Sequence, residues 1–165
     1  MATPILITVL AIVPQTLLVL YAPLGLIGAR MPIRRVIVPT LIIALVVAVT
    51  RSIPALIGWH IFIFLAAYIV VVRAFRLATL LGALAAASLS FILVALSDIL
   101  VIAPALAIWR IGYEDIVDSP WMHIGFGWLE SIIPLFAAIL VKWKSFVLIP
   151  ISRSRIDLPE RRSPH

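Results

Sequence analysis

The feature that most restricts how this chain can fold is a series of about five long apolar runs with few charges inside them. A helix that crosses a bilayer needs roughly 20 apolar residues. With 64% apolar and only 12% charged residues, the chain has too few polar side chains to cover a water-facing surface. We therefore predict an all-α integral membrane protein, a bundle of about five transmembrane helices. The predicted spans are approximately residues 5–28, 36–51, 55–72, 77–103 and 121–141.

The fourth apolar run leaves the number of spans open. It extends from Leu77 to Ile108 and is interrupted by Asp98 and Pro104. Roughly 20 residues are enough for one crossing, so a single span would place Asp98 near the far interface. A split of this run would add one span to the bundle.

Lys and Arg are distributed unevenly between the two sides of the predicted bundle. If the N-terminus lies outside, the outer segments contain Arg51 and Arg110, and every other basic residue lies in an inner segment. An excess of Lys and Arg in the inner segments is the usual orientation signal of membrane proteins. We therefore predict that the N-terminus is outside and the C-terminus inside.

The last part of the chain differs from the apolar region before it. Residues 1–145 are predicted to form the transmembrane helical domain, and residues 146–165 a basic cytoplasmic tail. Basic residues beside a membrane attract anionic lipid headgroups, so their placement here favours the lipid bilayer as a partner and argues against nucleic acid. The tail residues expected to contact lipid headgroups or a partner protein are Arg153, Arg155, Arg161 and Arg162.

The fourth run also contains a ridge of small residues. Gly82, Ala86 and Ser90 follow one another at a spacing of four, which places them on one face of a helix. Small residues let two helices approach closely in lipid. The ridge therefore predicts a helix-packing surface, and its partner can be another helix of this chain or a second copy in a homo-oligomer.

Four ionisable side chains lie near or inside the predicted spans: Arg51, His60, Asp98 and Glu130. Ionisable groups in membrane helices are costly, so they raise a functional hypothesis by default. In the predicted topology Arg51, His60 and Asp98 lie towards the outer side and Glu130 lies nearer the midplane. All four can face one outward-opening pocket that binds a ligand or signal. The alternative is structural, with Arg51 paired to Asp98 as a packing device.

Residues typical of catalysis are scattered or missing. The sequence has no cysteine, no H-E-x-x-H motif and no glycine-rich phosphate loop. His60, His123 and His165 have no partners at metal-ligand spacing. Nor does the sequence show an internal repeat or a matching pair of broken helices, which would indicate a transporter built from inverted halves. We expect no enzymatic activity, no cofactor and no metal site.

Two short motifs resemble one family of bacterial membrane proteins. The stretch from Arg51 to His60, RSIPALIGWH, matches a pattern in which a helix ends in Arg and is followed by Leu-Pro and Gly-x-His; the matching positions are Arg51, Pro54, Gly58 and His60. The stretch IGYEDIVDSPW over residues 111–121 resembles the turn before the last span. The chain is thus similar to the membrane sensor region of histidine kinases related to the accessory-gene-regulator peptide receptors.

The resemblance implies a signal-sensing role in a bacterial cytoplasmic membrane. Such kinases continue into a phosphoacceptor helix and an ATP-binding domain, for which this chain of 165 residues has no room. We therefore expect a stand-alone, multi-pass sensor domain that acts through a partner, such as a regulatory or kinase membrane protein.

Two other functions remain open on the sequence. One is the substrate-binding subunit of a small-molecule transporter, which would usually have six spans instead of the five counted here. The other is a structural membrane protein without a ligand.

Overall fold

The computed structural model describes residues 8–29, 31–51, 53, 59–112, 115–116, 119–144 and 146–149. Over these residues the chain is helical and contains no β-strand, which confirms the predicted all-α class. Two π-helical turns are present, the first at Thr8–Ile12 and the second at Asp98–Ile102. The α-helices are α1 (Val13–Leu26), α2 (Arg34–Arg51), α3 (His60–Ala74), α4 (Leu80–Ser97), α5 (Ala103–Trp109), α6 (Pro120–Glu130) and α7 (Ile132–Lys144).

Several of these elements join end to end into longer helices. Three continuous helices are long and apolar enough to cross a membrane: Val9–Leu26, Leu80–Trp109 and Pro120–Lys144. Helix α3, with 15 residues, is shorter, and α2 has basic residues at both of its ends. The described residues thus form five helical segments. Three of them have the length and composition needed to span a membrane.

The fourth apolar run forms one continuous helix of 30 residues. This helix continues past the predicted end at residue 103 and through Pro104, because the second π turn changes the hydrogen-bond register. The N–H of Ala103 donates to the carbonyl of Asp98, five residues earlier. A proline without an N–H is tolerated where the helix is already widened in this way.

Helix α1 occupies the centre of the bundle. It contacts α2, α4 and α7 along its length, while α2 contacts α3, α3 contacts α4, and α4 contacts α7. Helix α3 also reaches α1, since the Tyr68 hydroxyl donates to the Leu20 carbonyl at 3.3 Å. The side chains of Leu20, Ala22 and Leu24 are at most 1% exposed, so α1 is enclosed by an arc of the other helices.

Small residues set the close approach between α1 and its neighbours. A Cβ added at Gly25 would overlap the side chain of Val141 in α7, and one added at Gly82 would lie 3.4 Å from Ile27. Ala86 and Ser90, the other members of the predicted ridge, are fully buried in the same core. The structure therefore places the ridge of Gly82, Ala86 and Ser90 inside the bundle of one chain.

The segment that follows α7 returns to the end of α1. The N–H groups of Leu148 and Ile149 donate to the Leu26 carbonyl at 2.7 and 3.2 Å. The side chain of Val147 lies against Gly28, whose φ of 84° closes α1 in a left-handed turn. Carbonyls at a helix C-terminus lack intrahelical donors. This segment supplies two N–H donors to one such carbonyl. We call residues 146–149 the clasp.

Candidate functional site

The bundle has two chemically different ends. The contacts of Gly25 with Val141 and of Gly82 with Ile27 show that the C-termini of α1 and α7 and the start of α4 lie together. We call this the basic end. Among the described residues, six exposed basic side chains lie there, at the start of α2 and the ends of α3 and α7, and we call them the basic collar: Arg34, Arg35, Arg73, Arg76, Lys142 and Lys144.

The described acidic residues lie in the opposite half. Asp98 begins the second π turn, Glu130 ends α6, and Asp115 lies in the connection between α5 and α6, where its carboxylate accepts from the Gly112 N–H at 2.8 Å. We call this half the broken end, because the helices that meet there are interrupted.

Two of the interruptions have the same local sequence. The first π turn is followed by Pro14 and the second by Pro104, each two residues after the turn. Both carry Leu-x-Ile-x-Pro, at residues 10–14 and 100–104. In each case the proline has no N–H to donate to the turn before it. The π turn, with hydrogen bonds over five residues instead of four, accommodates this missing donor. The two described π turns thus precede a proline in the same local sequence.

Helix α6 lies between the two π turns. It contacts Thr8–Ile12 on one side and Asp98–Ile102 on the other. A Cβ added at Gly127 would lie 3.2 Å from that of Ala11, so α6 and the first π turn are closely packed. Any movement of α6 would therefore act on two widened, less strongly hydrogen-bonded turns at once.

The end of the long helix Leu80–Trp109 contacts α6. The rings of Trp109 and Phe126 meet edge to face with centroids 5.9 Å apart. A π turn with a proline is a known cause of helix bending, and both precede Trp109 in this helix.

A third irregularity lies between α6 and α7, although the Ser131 N–H still donates to the Gly127 carbonyl and the Leu135 N–H to the Ser131 carbonyl. Ser131 forms a turn there, with its hydroxyl donating to the Gly127 carbonyl at 2.8 Å and its N–H shared between Gly127 and Trp128. Pro134 removes the N–H that the Glu130 carbonyl would accept in an unbroken helix. Glu130 thus lies at a break, as Asp98 does.

The four predicted pocket residues fall in the same half of the bundle but at different depths. Measured along the helices from Gly82 and Val141, Asp98 lies about 24 Å and Glu130 about 17 Å from the basic end. Asp98 is exposed, whereas Glu130 and His60 are partly buried, and each of the three has an interaction partner. Arg51 ends α2, and its side chain lies outside the described part of the structure.

Other predicted residues cannot be placed. Pro54 and Gly58 of the motif, and Arg153, Arg155, Arg161 and Arg162 of the tail, lie outside the described residues.

Sequence reasoning missed three features of the broken end. It did not find the π turns, although the repeated Leu-x-Ile-x-Pro was a usable signal. It did not include His123 among the candidate pocket residues, although His123 lies on α6 and has an interaction partner. It also did not predict that Ser90, fully buried on α4, has a hydroxyl without a hydrogen-bond partner. Among the described residues, His, Asp and Glu form no group of three that could hold a metal ion.

Comparisons of the chain with protein-family models, with curated proteins and with solved structures find no match.

Proposed function

We propose that this chain is a five-span protein of a bacterial cytoplasmic membrane that receives a signal at its broken end and passes it to a protein partner at its basic end. Its N-terminus lies outside and its C-terminus inside. In this proposal the chain is not an enzyme, and it senses a signal as the sensor domains that it resembles do.

The exposed face of α2 supports five spans. Ile37, Leu41, Leu45 and Val49 follow at intervals of four and are 46–63% exposed. A continuous apolar stripe of this length is unfavourable in water and favourable against lipid. The basic residues at both ends of α2 can extend their charged groups to the headgroups. Helix α3 lies alongside α2 and α4, so it would cross at the same depth despite its 15 residues.

The charge difference between the two ends supports the orientation. Six exposed basic residues lie at one end, and the three described acids lie in the other half. Lys and Arg are retained on the inner side of a membrane, whereas Asp and Glu have little effect on topology. The basic end would therefore face the cytoplasm.

The observation that carries the proposal is the coincidence of ionisable groups with helix breaks. Asp98 begins a π turn and Glu130 precedes the break at Ser131. Helix irregularities at membrane depth occur where they line a cavity or are buried in protein, and π turns are frequent at functional sites. A carboxylate at such a break can bind a cationic or hydrogen-bonding ligand, and the break lets the helix respond at small cost.

Helix α1 would transmit the response. It begins at the first π turn, beside α6, and its last turn holds the clasp through the Leu26 carbonyl. A displacement of α1 along its axis would strain or break the hydrogen bonds from Leu148 and Ile149. The signal would thus reach the residues that lead into the basic tail.

The test is co-purification of the full tagged chain from gently solubilised membranes, with mass spectrometry of bound proteins and small molecules. Asp98→Asn and Glu130→Gln remove the charges at the breaks, and Asp115→Asn is the matched control at the same end. We expect the first two variants to stay folded and to lose the bound partner or ligand, while the control keeps both. Loss of folding alone would favour the structural alternative.

A substrate-binding transporter subunit is the second candidate. The two π turns on either side of α6 favour it, because interrupted helices form the substrate sites of many transporters. The single continuous helix Leu80–Trp109 disfavours it, since six spans would require that run to divide. Recovery of an energy-coupling membrane subunit or a vitamin-sized ligand in the same experiment would establish this alternative.

A further inference from the structure

The basic collar presents a surface of exposed cations around the basic end. Its six side chains come from three different helix ends, at the start of α2 and the ends of α3 and α7, so they surround the end of the central helix α1. All six are exposed. One of them is fixed across a turn, since Arg73 donates from Nη1 to the Ala78 carbonyl at 3.1 Å.

The described residues provide no carboxylate at this end. Asp98, Asp115 and Glu130 all lie in the broken half, with Asp98 and Glu130 about 24 and 17 Å from the level of Gly82 and Val141. At physiological ionic strength exposed charges are largely screened beyond about 8 Å. The collar therefore presents its positive charge without compensation from these acids.

Exposed apolar side chains lie directly beside the charges. Trp143, between Lys142 and Lys144, is 83% exposed, and Phe75, between Arg73 and Arg76, is 41% exposed. The clasp adds Leu148 at 52%. A surface that alternates cations with exposed apolar and aromatic groups does not fit a soluble polyanion, whose surroundings are wholly aqueous. It fits a molecule with an anionic head and a hydrocarbon body.

We propose that the basic collar binds anionic phospholipids, with the phosphates against Arg and Lys and the acyl chains against Trp143, Phe75 and the apolar helix faces. The guanidinium groups bind phosphate in a forked geometry, and the ammonium groups act as point charges. The binding belongs to the folded bundle and does not require the arginines of the tail. It also does not depend on what the broken end detects.

The experiment uses the full chain reconstituted in bilayers of zwitterionic phosphatidylcholine, with spin-labelled phosphatidylglycerol or spin-labelled phosphatidylcholine as the probe. The motionally restricted fraction in the electron paramagnetic resonance spectrum gives the relative association constant of the two lipids. We expect the wild-type chain to prefer phosphatidylglycerol. Each removed collar charge should lower that preference by up to about fivefold, the equivalent of about 1 kcal/mol per basic residue near a membrane surface.

Four variants locate the effect. Lys142→Gln with Lys144→Gln lowers the preference, and Arg76→Gln does so from a different helix, so a fold defect in one variant does not decide the result. Arg110→Gln, an exposed arginine at the broken end, leaves the preference unchanged. Replacement of the four tail arginines by Gln also leaves most of the preference for phosphatidylglycerol. Loss of the preference in the tail variant, with both collar variants unaffected, would overturn the proposal.

Discussion

The basic end and the broken end are built from the same helices, but the helices are regular at the basic end and irregular at the broken end. At the basic end, α1 and α3 close in left-handed turns at Gly28 and Arg76, and the clasp supplies donors to the last carbonyl of α1. At the broken end, two helices widen into π turns before a proline, and a third is interrupted at Ser131. Both ends have capped helices, but among the described residues only the broken end has π turns within the long helices.

The difference indicates where the molecule can move. Regular helices held by close glycine contacts resist deformation, because interiors are packed as densely as crystals. Interrupted helices have fewer or longer hydrogen bonds and open more readily. Places where a sequence departs from local structural rules are often functional. We therefore expect stability to depend mainly on the basic end and responsiveness on the broken end.

The largest effect is expected from the glycine contacts. Gly25→Ala introduces a Cβ that overlaps Val141, which should lower the free energy of unfolding by about 1–3 kcal/mol, the usual cost of overpacking. Gly127→Ala, at the broken end, meets Ala11 at 3.2 Å and should cost less, because the π turn can shift. Unfolding of the purified chain in mixed micelles with increasing dodecyl sulfate measures both.

Gly125→Ala is the control for these glycines, since a Cβ there contacts nothing and the change should be neutral or slightly stabilising. Val141→Ala in the Gly25→Ala background should restore much of the lost stability. An equal loss of stability in Gly25→Ala and Gly127→Ala would show that the two ends do not differ in rigidity.

A smaller effect is expected at the second π turn. Pro104→Ala restores an N–H, so this part of the long helix should return to the α register and exchange its amide hydrogens more slowly. We expect roughly tenfold slower exchange over residues 99–105, equivalent to about 1.4 kcal/mol of local stability. Hydrogen–deuterium exchange with mass spectrometry of the full chain measures it.

The matched control is Pro120→Ala. Pro120 is the first residue of α6, where an N–H has no intrahelical acceptor, so its replacement should leave exchange unchanged. Unaltered exchange in Pro104→Ala would show that the packing of α6, and not the proline, produces the π turn.

The smallest effect concerns two arginines in the same strained conformation at opposite ends. Arg76 and Arg110 have φ values of 52° and 54°, which cost an L-residue roughly 1–2 kcal/mol. Arg76→Gly and Arg110→Gly should therefore each stabilise the fold by up to about 1 kcal/mol, after the entropy of glycine is subtracted. Thermal unfolding measures this gain.

The two changes should differ in lipid binding. Only Arg76→Gly should reduce the preference for phosphatidylglycerol, since Arg110 is not part of the basic collar. A reduction of similar size in both variants would mean that the two ends do not differ in their affinity for anionic lipid.

Particular residues show how far the sequence predicts this structure. The spacing of Gly82, Ala86 and Ser90 indicated a packing face, but α1 as its neighbour emerged only from the fold. The run 77–103 was predicted to end before Pro104, because proline usually ends a helix, and the π turn removes that constraint. Asp98, Glu130 and His60 were expected to face one pocket in one half of the bundle, and that pocket stays a prediction.

The sequence by itself determined the all-α class, the presence of helices long and apolar enough to span a membrane, and the concentration of basic residues in a few segments. These follow from hydropathy and charge along the chain, which need no knowledge of neighbours. The tertiary structure decided that α1 is central, that α6 lies between two π turns, and that residues 146–149 bind the end of α1. These depend on contacts between residues far apart in sequence, such as Leu148 with Leu26 and Gly127 with Ala11, and no local pattern encodes them.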